Sequence, residues 1–250
     1  TMLILTCPAQ LQRLEGALRR SLPLALPVHG AVMNINRGNP GEFEVVKKGG
    51  SGEGIGVLGS RCPPPPLTAL SPGLQEEVAK VSQAIADTKG VELEVSEYYT
   101  YLHPDPSTMP ELDPSVRVGS LSPSHVDLLN ETWPYGGNSR SRRYLAELLR
   151  CFPNLCLQDG AGQPLSWCLT DHFGTGAHGY TLPAHRRRGH MQAVMVLAAR
   201  RAQARGFLSF GHTATGNRPM QRLQEELGHQ RLPGLCRFVL HNPGLGRAGP

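Results

Sequence analysis

With 250 residues the chain can bury one large core or two modest ones, and its formal charge of +5 suits an anionic partner such as a nucleotide cofactor, nucleic acid or an anionic surface. No apolar run approaches the roughly 20 residues that cross a bilayer, and Thr1 to Cys7 is too short for a signal-peptide core, so no membrane span is expected. The six cysteines form no C-x-x-C pair and no zinc spacing, which points away from a metal site and towards reduced core thiols in a reducing intracellular compartment.

In chain order, the pattern predicts a strand over Met2–Thr6 and a helix from Pro8 with Leu11, Leu14 and Leu18 on one face. Arg13, Arg19 and Arg20, with Glu15 the lone acid before Glu42, suit either a mitochondrial presequence or the solvated face of a folded helix. The strand expected next, Val28–Ile35, needs a partner and favours the folded helix. Asn36 to Gly41 is a turn cluster.

Residues 47–72 change character. KKGGSGEGIGVLGS followed by Cys62 and four prolines is a linker composition that cannot bury a core. Gly54–Gly59 spells G-x-G-x-x-G, but a glycine-rich stretch precedes it and Ser60-Arg61-Cys62-Pro63 follows, so the strand and helix of a dinucleotide loop are missing. A disordered bridge is expected here.

A helix from Gly73 follows, lined by Leu74, Val78, Val81 and Ile85 and closed by Gly90, and then a strand over Val91–Val95. Pro104, Pro106, Pro110 and Pro114 mark an extended connection, which divides the chain into domains over 1–115 and 116–243. The second domain opens with a strand over Val116–Leu121. Ser122 and Pro123 then start a helix that reaches Trp133. Gly136-Gly137 breaks it, and a helix from Asn138 turns Tyr144, Leu145, Leu148, Leu149 and Phe152 inward. Antiparallel strands are expected over Leu155–Leu157, Leu165–Thr170 and Ala177–Leu182. A helix after Gly189 carries Met191, Val194, Met195, Ala198 and Ala202 at helical spacing, with Gly206 as its C-terminal cap. Strand Phe207–His212, helix Arg218–Leu227 and strand Cys236–Leu240 complete an α+β (α/β) order, with a Gly/Pro/Arg tail over 244–250. Arg200, Arg201 and Arg205, like Arg140, Arg142 and Arg143, read as solvated helix faces.

The segment from His178 to Phe207 organises the whole. A strand is stopped by Pro183, which has no N–H for a ladder. A basic turn of Arg186, Arg187, Arg188 and Gly189 leads into a helix N-terminus. Backbone N–H groups, the positive helix end and three arginines then converge on one spot, which is a site for a phosphorylated ligand, and Gly189 lets the backbone approach closely.

Arg186–Met191 resembles the Arg/Gln-x-x-Gly-x-Gly/Ala signature of the GNAT acyltransferase superfamily, with Met191 where that signature has Gly or Ala. Three further segments are similar to the glycine N-acyltransferase family: Gly179-Tyr180-Thr181-Leu182-Pro183 before His185-Arg186-Arg187, Asn154-Leu155-Cys156 leading to Ser166-Trp167 and Asp171, and Gly30–Pro40. The resemblance covers residues 1–46 and about 73–243. It implies a GNAT fold in the C-terminal half and a smaller, incomplete α/β N-terminal domain. It also implies transfer of an acyl group from acyl-CoA, a co-substrate and not a permanent cofactor, to the amino group of glycine. A monomer in mitochondria, with the cytoplasm as the other compartment, goes with it. Leu182, Arg186, Arg187, Arg188, Gly189 and His190 would hold the coenzyme, and Asn217 would meet its pantetheine arm or cap the next helix. No metal site is implied.

An amine is largely protonated at neutral pH, so acyl transfer needs a proton acceptor, and the oxyanion that forms needs a backbone N–H donor. In the resembled family the acceptor is a glutamate a few residues before Thr-Leu-Pro. Ungapped comparison puts Thr175 there, and a hydroxyl cannot serve. His178 on the same strand, or His172 before it, is the nearest replacement. The alternative is an acyl-CoA-binding protein with little turnover. A nucleic-acid partner is not expected, since no aromatic residues interleave the arginines.

Overall fold

The first described elements form a small sheet: β1 (Met2–Leu5) pairs antiparallel with β2 (Phe43–Lys48), and β2 with β3 (Gly54–Gly59). The computed structural model describes residues 2–5, 7–38, 43–48, 54–59, 70–111 and 117–241. The disordered bridge expected over 47–72 is therefore corrected at Lys47 and Lys48, which end β2, over Gly54–Gly59, which pairs with β2 along its length, and over 70–72, which open a further strand (Leu70–Gln75). Residues 49–53 and 60–69, and the expected tail over 244–250, lie outside the described residues.

α1 (Pro8–Arg19) starts with proline, whose missing N–H is one the first turn leaves unpaired anyway, and buries Leu11, Leu14 and Leu18. They pack on α2 (Leu26–Asn36) at Val32. This helix replaces the expected strand over Val28–Ile35. Every residue from His29 to Asn34 is buried, so the segment shows a continuous apolar run without a helical stripe, and periodicity cannot tell such a helix from a strand.

β4 (Leu70–Gln75) precedes α3 (Glu76–Lys89), which ends at Gly90 with φ 62°. The expected apolar stripe is corrected here too: Val81 and Ile85 are 60% and 50% exposed, and Ala79 and Ala86 are buried instead. β5 (Leu93–His103) runs eight residues beyond the expected end at Val95, through the β-prone Tyr98-Tyr99-Thr100-Tyr101.

The remaining elements are β6 (Arg117–Gly119), α4 (Val126–Thr132), α5 (Ser139–Cys151), β7 (Asn154–Gln158), β8 (Pro164–Thr170), β9 (Gly176–Thr181), α6 (His190–Ala204), β10 (Ser209–Ala214), α7 (Arg218–Glu226), β11 (Gln230–Arg231) and β12 (Cys236–His241). Among the described residues, β4 to β12 form one nine-stranded mixed sheet in the order β4-β12-β5-β10-β9-β8-β7-β6, with β11 also on β5. β5, which lies before the boundary expected near 115, pairs along its length with β10 and β12, which lie after it.

The sheet is covered on both faces, as the alternation of side chains along a strand requires. On one face, α4 and α5 bury Leu129, Leu145 and Leu148 on Cys156, Trp167 and Leu169. On the other, Ala193 and Val194 of α6 cover Leu155 and Leu157, and Glu225 and Gln224 of α7 bond Tyr101 and Thr213.

Where β8 turns into β9, α2 lies against the chain at van der Waals distance or closer. A Cβ on Gly30 would sit 1.9 Å from the backbone oxygen of Phe173, and Asn34 Nδ2 donates to His172 O at 3.0 Å. The obstacle is backbone, so no rotamer change relieves it. Gly30→Ala is expected to destabilise the protein by about 2 kcal/mol or more, because helix and turn must separate. Denaturant titration checks this, and an unchanged midpoint would mean that the helix does not rest on the turn.

Candidate active site

Adjacent β9 and β10 are parallel and share one pair, Gly176 with Gly211, whereas β10 pairs with β5 over six residues on its other side. A Cβ on Gly211 would stand 3.3 Å from Gly176 O, so the glycine on β10 eases the approach at this apex. Past it, residues 177–181 and 212–214 run on without pairing to one another, leaving a wedge-shaped gap edged by backbone N–H and C=O groups. β9 bends away through a bulge, where the β8 register steps from Trp167↔Tyr180 to Leu169↔Ala177. His178 occupies the bulge with φ 49°, a left-handed conformation uncommon for a side chain with a Cβ.

The ring of His178 is tied down at both nitrogens. Nε2–H donates to Leu129 O of α4 at 2.8 Å, and Nδ1 accepts from the Trp167 indole N–H at 3.4 Å. Trp133 stacks over it with centroids 5.9 Å apart. Burial pushes its pKa down, so this is a neutral imidazole with its basic lone pair engaged.

Thr175 is 2% exposed. Its N–H and that of Phe173 donate to Asp171 Oδ1, each at 2.9 Å, and the Thr175 carbonyl accepts from Asp171 N–H at 3.1 Å. The carboxylate thus closes the β8–β9 turn, and burial raises its pKa to about 6 against the pull of these bonds. His172 Nε2 pairs with Glu147 of α5 at 3.2 Å, beneath Tyr144 and Phe152.

The basic turn stands at the mouth of the gap. Arg187 has φ 61° and Gly189, the N-cap of α6, has φ 76°. No side chain caps this helix and its first turn holds no acid, so its leading N–H groups remain available to an anion. Arg187 and Arg188 are exposed. Arg186 is held back, with Nε donating to Thr181 O at 3.0 Å and its guanidinium over the Tyr180 ring. His190 is buried, and burial, then His185 and Arg188, lower its pKa. Leu182 N–H is already donated to Leu165 O at 3.0 Å, and its side chain packs with the α4–α5 core. Asn217 caps α7, its Oδ1 accepting from Met220 N–H at 3.3 Å.

Sequence reasoning missed His212. It is the first residue of β10 past the apex, and its Nδ1 lies 3.1 Å from Thr100 Oγ1 and 3.2 Å from Cys236 Sγ. Two strands distant in sequence supply these partners, so no local pattern signals them. Nearby, Tyr98 of β5 and Tyr135 of the α4–α5 loop share a hydroxyl–hydroxyl hydrogen bond, and Tyr98 stacks on Phe238. Burial raises the Cys156 and Cys168 thiols to about 12, which leaves them unreactive. Among the described residues no cluster of His, Cys, Asp and Glu could hold a metal ion, and no helix is long and apolar enough to cross a membrane.

The sequence matches the family model of aralkyl acyl-CoA:amino acid N-acyltransferase over residues 2–47 and 70–153, and that of its C-terminal region over 155–237. The chain belongs to this family. The segment that this N-acyltransferase-family chain leaves unmatched, between 47 and 70, is the one of linker composition. Bovine (Bos taurus) glycine N-acyltransferase is 27% identical over 286 aligned positions, covering 93% of this chain and 96% of that one. Bovine glycine N-phenylacetyltransferase is 27% identical over 280, covering 90% and 94%. Both alignments are longer than this 250-residue chain, so these relatives carry residues that it lacks. A Drosophila protein of known structure superimposes with a TM-score of 0.72 at 13% identity, covering 96% of this chain and 97% of that one. A tandem GNAT protein from the clavulanic acid biosynthesis pathway reaches 0.50 at 12% identity, covering 100% and 99%. The fold of this family member is the α+β GNAT fold.

The buried imidazoles of the acyltransferase chain set its acid stability. Burial lowers His212 and His229 from 6.5 to about 4. Their stabilising contribution is complete above pH 6.5 and is lost as pH falls from there towards 4. Asp171, raised to about 6, acts the other way over pH 6 to 3.8, but it is one group against two with similar shifts. The thermal midpoint is therefore expected to fall steadily from pH 7 to 4.5. Calorimetry checks it, and a flat or rising midpoint would contradict the neutral, buried state of these rings.

Proposed function

We propose that the protein transfers the acyl group of an acyl-CoA to the amino group of glycine, releasing the coenzyme as free thiol. The observation that carries this reading is the gap between β9 and β10, which ends at an uncapped helix start beside Arg187 and Arg188. A pantetheine arm has two amides in an extended chain, and the two gap edges offer complementary backbone groups. The pyrophosphate then meets the first turn of α6, where unpaired N–H groups and the helix dipole favour negative charge. Backbone N–H groups near the bulge suit the oxyanion of the tetrahedral intermediate. The aromatic cluster of Trp133, Tyr135, Tyr144 and Trp167 borders the α4–α5 side, where an amine and an acyl chain can meet. The relatives named for glycine support glycine as acceptor.

Thr175 favours a second reading, a binder of acyl-CoA with little turnover. Ungapped comparison puts it at the position of the family's glutamate, and the ionisable residues of its turn are both engaged, Asp171 in closing that turn and His172 with Glu147. Thiol release from acyl-CoA in the presence of glycine separates the two readings. Release is expected from the native protein, and Thr175→Glu is expected to raise the turnover number at least tenfold, up to the roughly 10²–10⁴ that a positioned base contributes. Acyl-CoA binding without thiol release by the native protein would establish the second reading.

The anion seat has its own test. No atom lies within 4 Å of a Cβ placed on Gly189, so a side chain there meets only the conformational cost of φ 76°. Gly189→Val should leave a folded protein and weaken acyl-CoA binding at least tenfold by calorimetry. Unchanged affinity in the folded variant would mean that the coenzyme phosphates bind elsewhere.

A further inference from the structure

The reaction proposed above lacks a proton acceptor at the expected positions: Thr175 is a hydroxyl, His172 Nε2 is paired with Glu147, and His178 has both ring nitrogens engaged. One imidazole at the gap differs from it. His212 follows Gly211, the β10 half of the single apex pair, so it is the first side chain on the β10 edge of the gap. Strand alternation and the partners of its ring put it on the sheet face that carries Tyr98, Thr100, Cys236 and Phe238, with Tyr135 of the α4–α5 loop beside them. His178, tied to α4, stands on that same face across the gap. Nδ1 of His212 is taken by Thr100 Oγ1 and Cys236 Sγ, while Nε2 has no hydrogen-bond partner among the described residues and the side chain is half-buried.

Resting on the acyltransfer reading, we propose that His212 is the catalytic residue that accepts the proton of the attacking amine at Nε2, with Thr100 and Cys236 as positioning residues for the ring. In the tautomer that acts, Nδ1 carries the proton and Thr100 Oγ1 accepts it, which leaves the lone pair on Nε2. The amine lone pair forms the C–N bond at the thioester carbon, and an N–H proton passes to Nε2. The C–S bond then breaks, and the imidazolium returns that proton to the leaving thiolate. Thioester and amine become amide and thiol, and the imidazole is regenerated.

The surroundings keep the ring neutral. Burial lowers its pKa to about 4, and the titratable groups that face it are the Cys236 thiol and the Tyr98 phenol, both raised by burial and so uncharged at neutral pH, with the Tyr135 hydroxyl bonded to Tyr98. The Glu97–Arg237 ion pair adjoins on the two strands but alternates to the opposite face. At neutral pH the ring is neutral with Nε2 free; a pKa of about 4 makes it a weak base, and the transfer relies on the amine nitrogen becoming strongly acidic as the C–N bond forms.

The test compares the native protein with His212→Gln and His212→Ala, measuring thiol release, acyl-CoA affinity and thermal midpoint. Glutamine can still hydrogen-bond Thr100 but cannot take a proton. His212→Gln should lose at least tenfold in turnover number with KM for acyl-CoA unchanged, and free imidazole added to His212→Ala should restore turnover in proportion to its concentration. A merely structural role predicts neither the split nor the rescue. Unchanged turnover in a folded His212→Gln, or a lost turnover that imidazole fails to restore in folded His212→Ala, would overturn the inference alone. A native protein that binds acyl-CoA and releases no thiol would overturn the acyltransfer reading, and with it any catalytic residue.

Discussion

Two neighbouring parallel strands that share a single pair cannot satisfy each other's backbone, and the arrangement around the candidate site follows from that constraint. β9 has β8 on one side and β10 has β5 on the other, so each is stable without its neighbour. The edges between them stay unmatched past Gly176 and Gly211. Unpaired backbone groups inside a sheet are costly unless water or a ligand meets them. An extended chain with its own amides is the natural complement, and the uncapped start of α6 sits where the charged end of such a chain would emerge.

Holding the gap open requires both strands to be fixed from outside it. On the β9 side this is done by the bulge at His178, by the bond from its ring to Leu129 of α4, and by the turn that Asp171 closes. α2 presses on that turn at Gly30 and Asn34, and so couples the N-terminal segment to the site although it supplies no residue to the gap. On the β10 side, β5 and β12 form a continuous support, and their side chains Thr100 and Cys236 meet His212.

What could be read from the sequence is what local pattern encodes. The basic turn before α6, the helix from Asn138 and the hairpin strands over 154–181 each carry their own signals in turn residues, caps and periodicity. The order of elements in the second half followed from these. Failures came where long-range packing decides. α2 is buried all round and so loses the helical stripe, and β5 lengthens because β10 and β12 flank it. At the candidate site the basic turn before α6 was legible as a turn, whereas the engagement of both His178 nitrogens and the partners of His212 were not. Those depend on Leu129, Trp167, Thr100 and Cys236, brought in from four other elements.

The central claim is that the gap between β9 and β10 receives the extended arm of an acyl-CoA. Backbone amide hydrogen exchange, with and without a non-hydrolysable acyl-CoA analogue, reads it directly. Protection is expected to rise at residues 177–181 and 212–215 and in the first turn of α6, with little change in β7 or in β5. Ligand-induced protection confined to other elements, with these amides exchanging as before, would contradict the account.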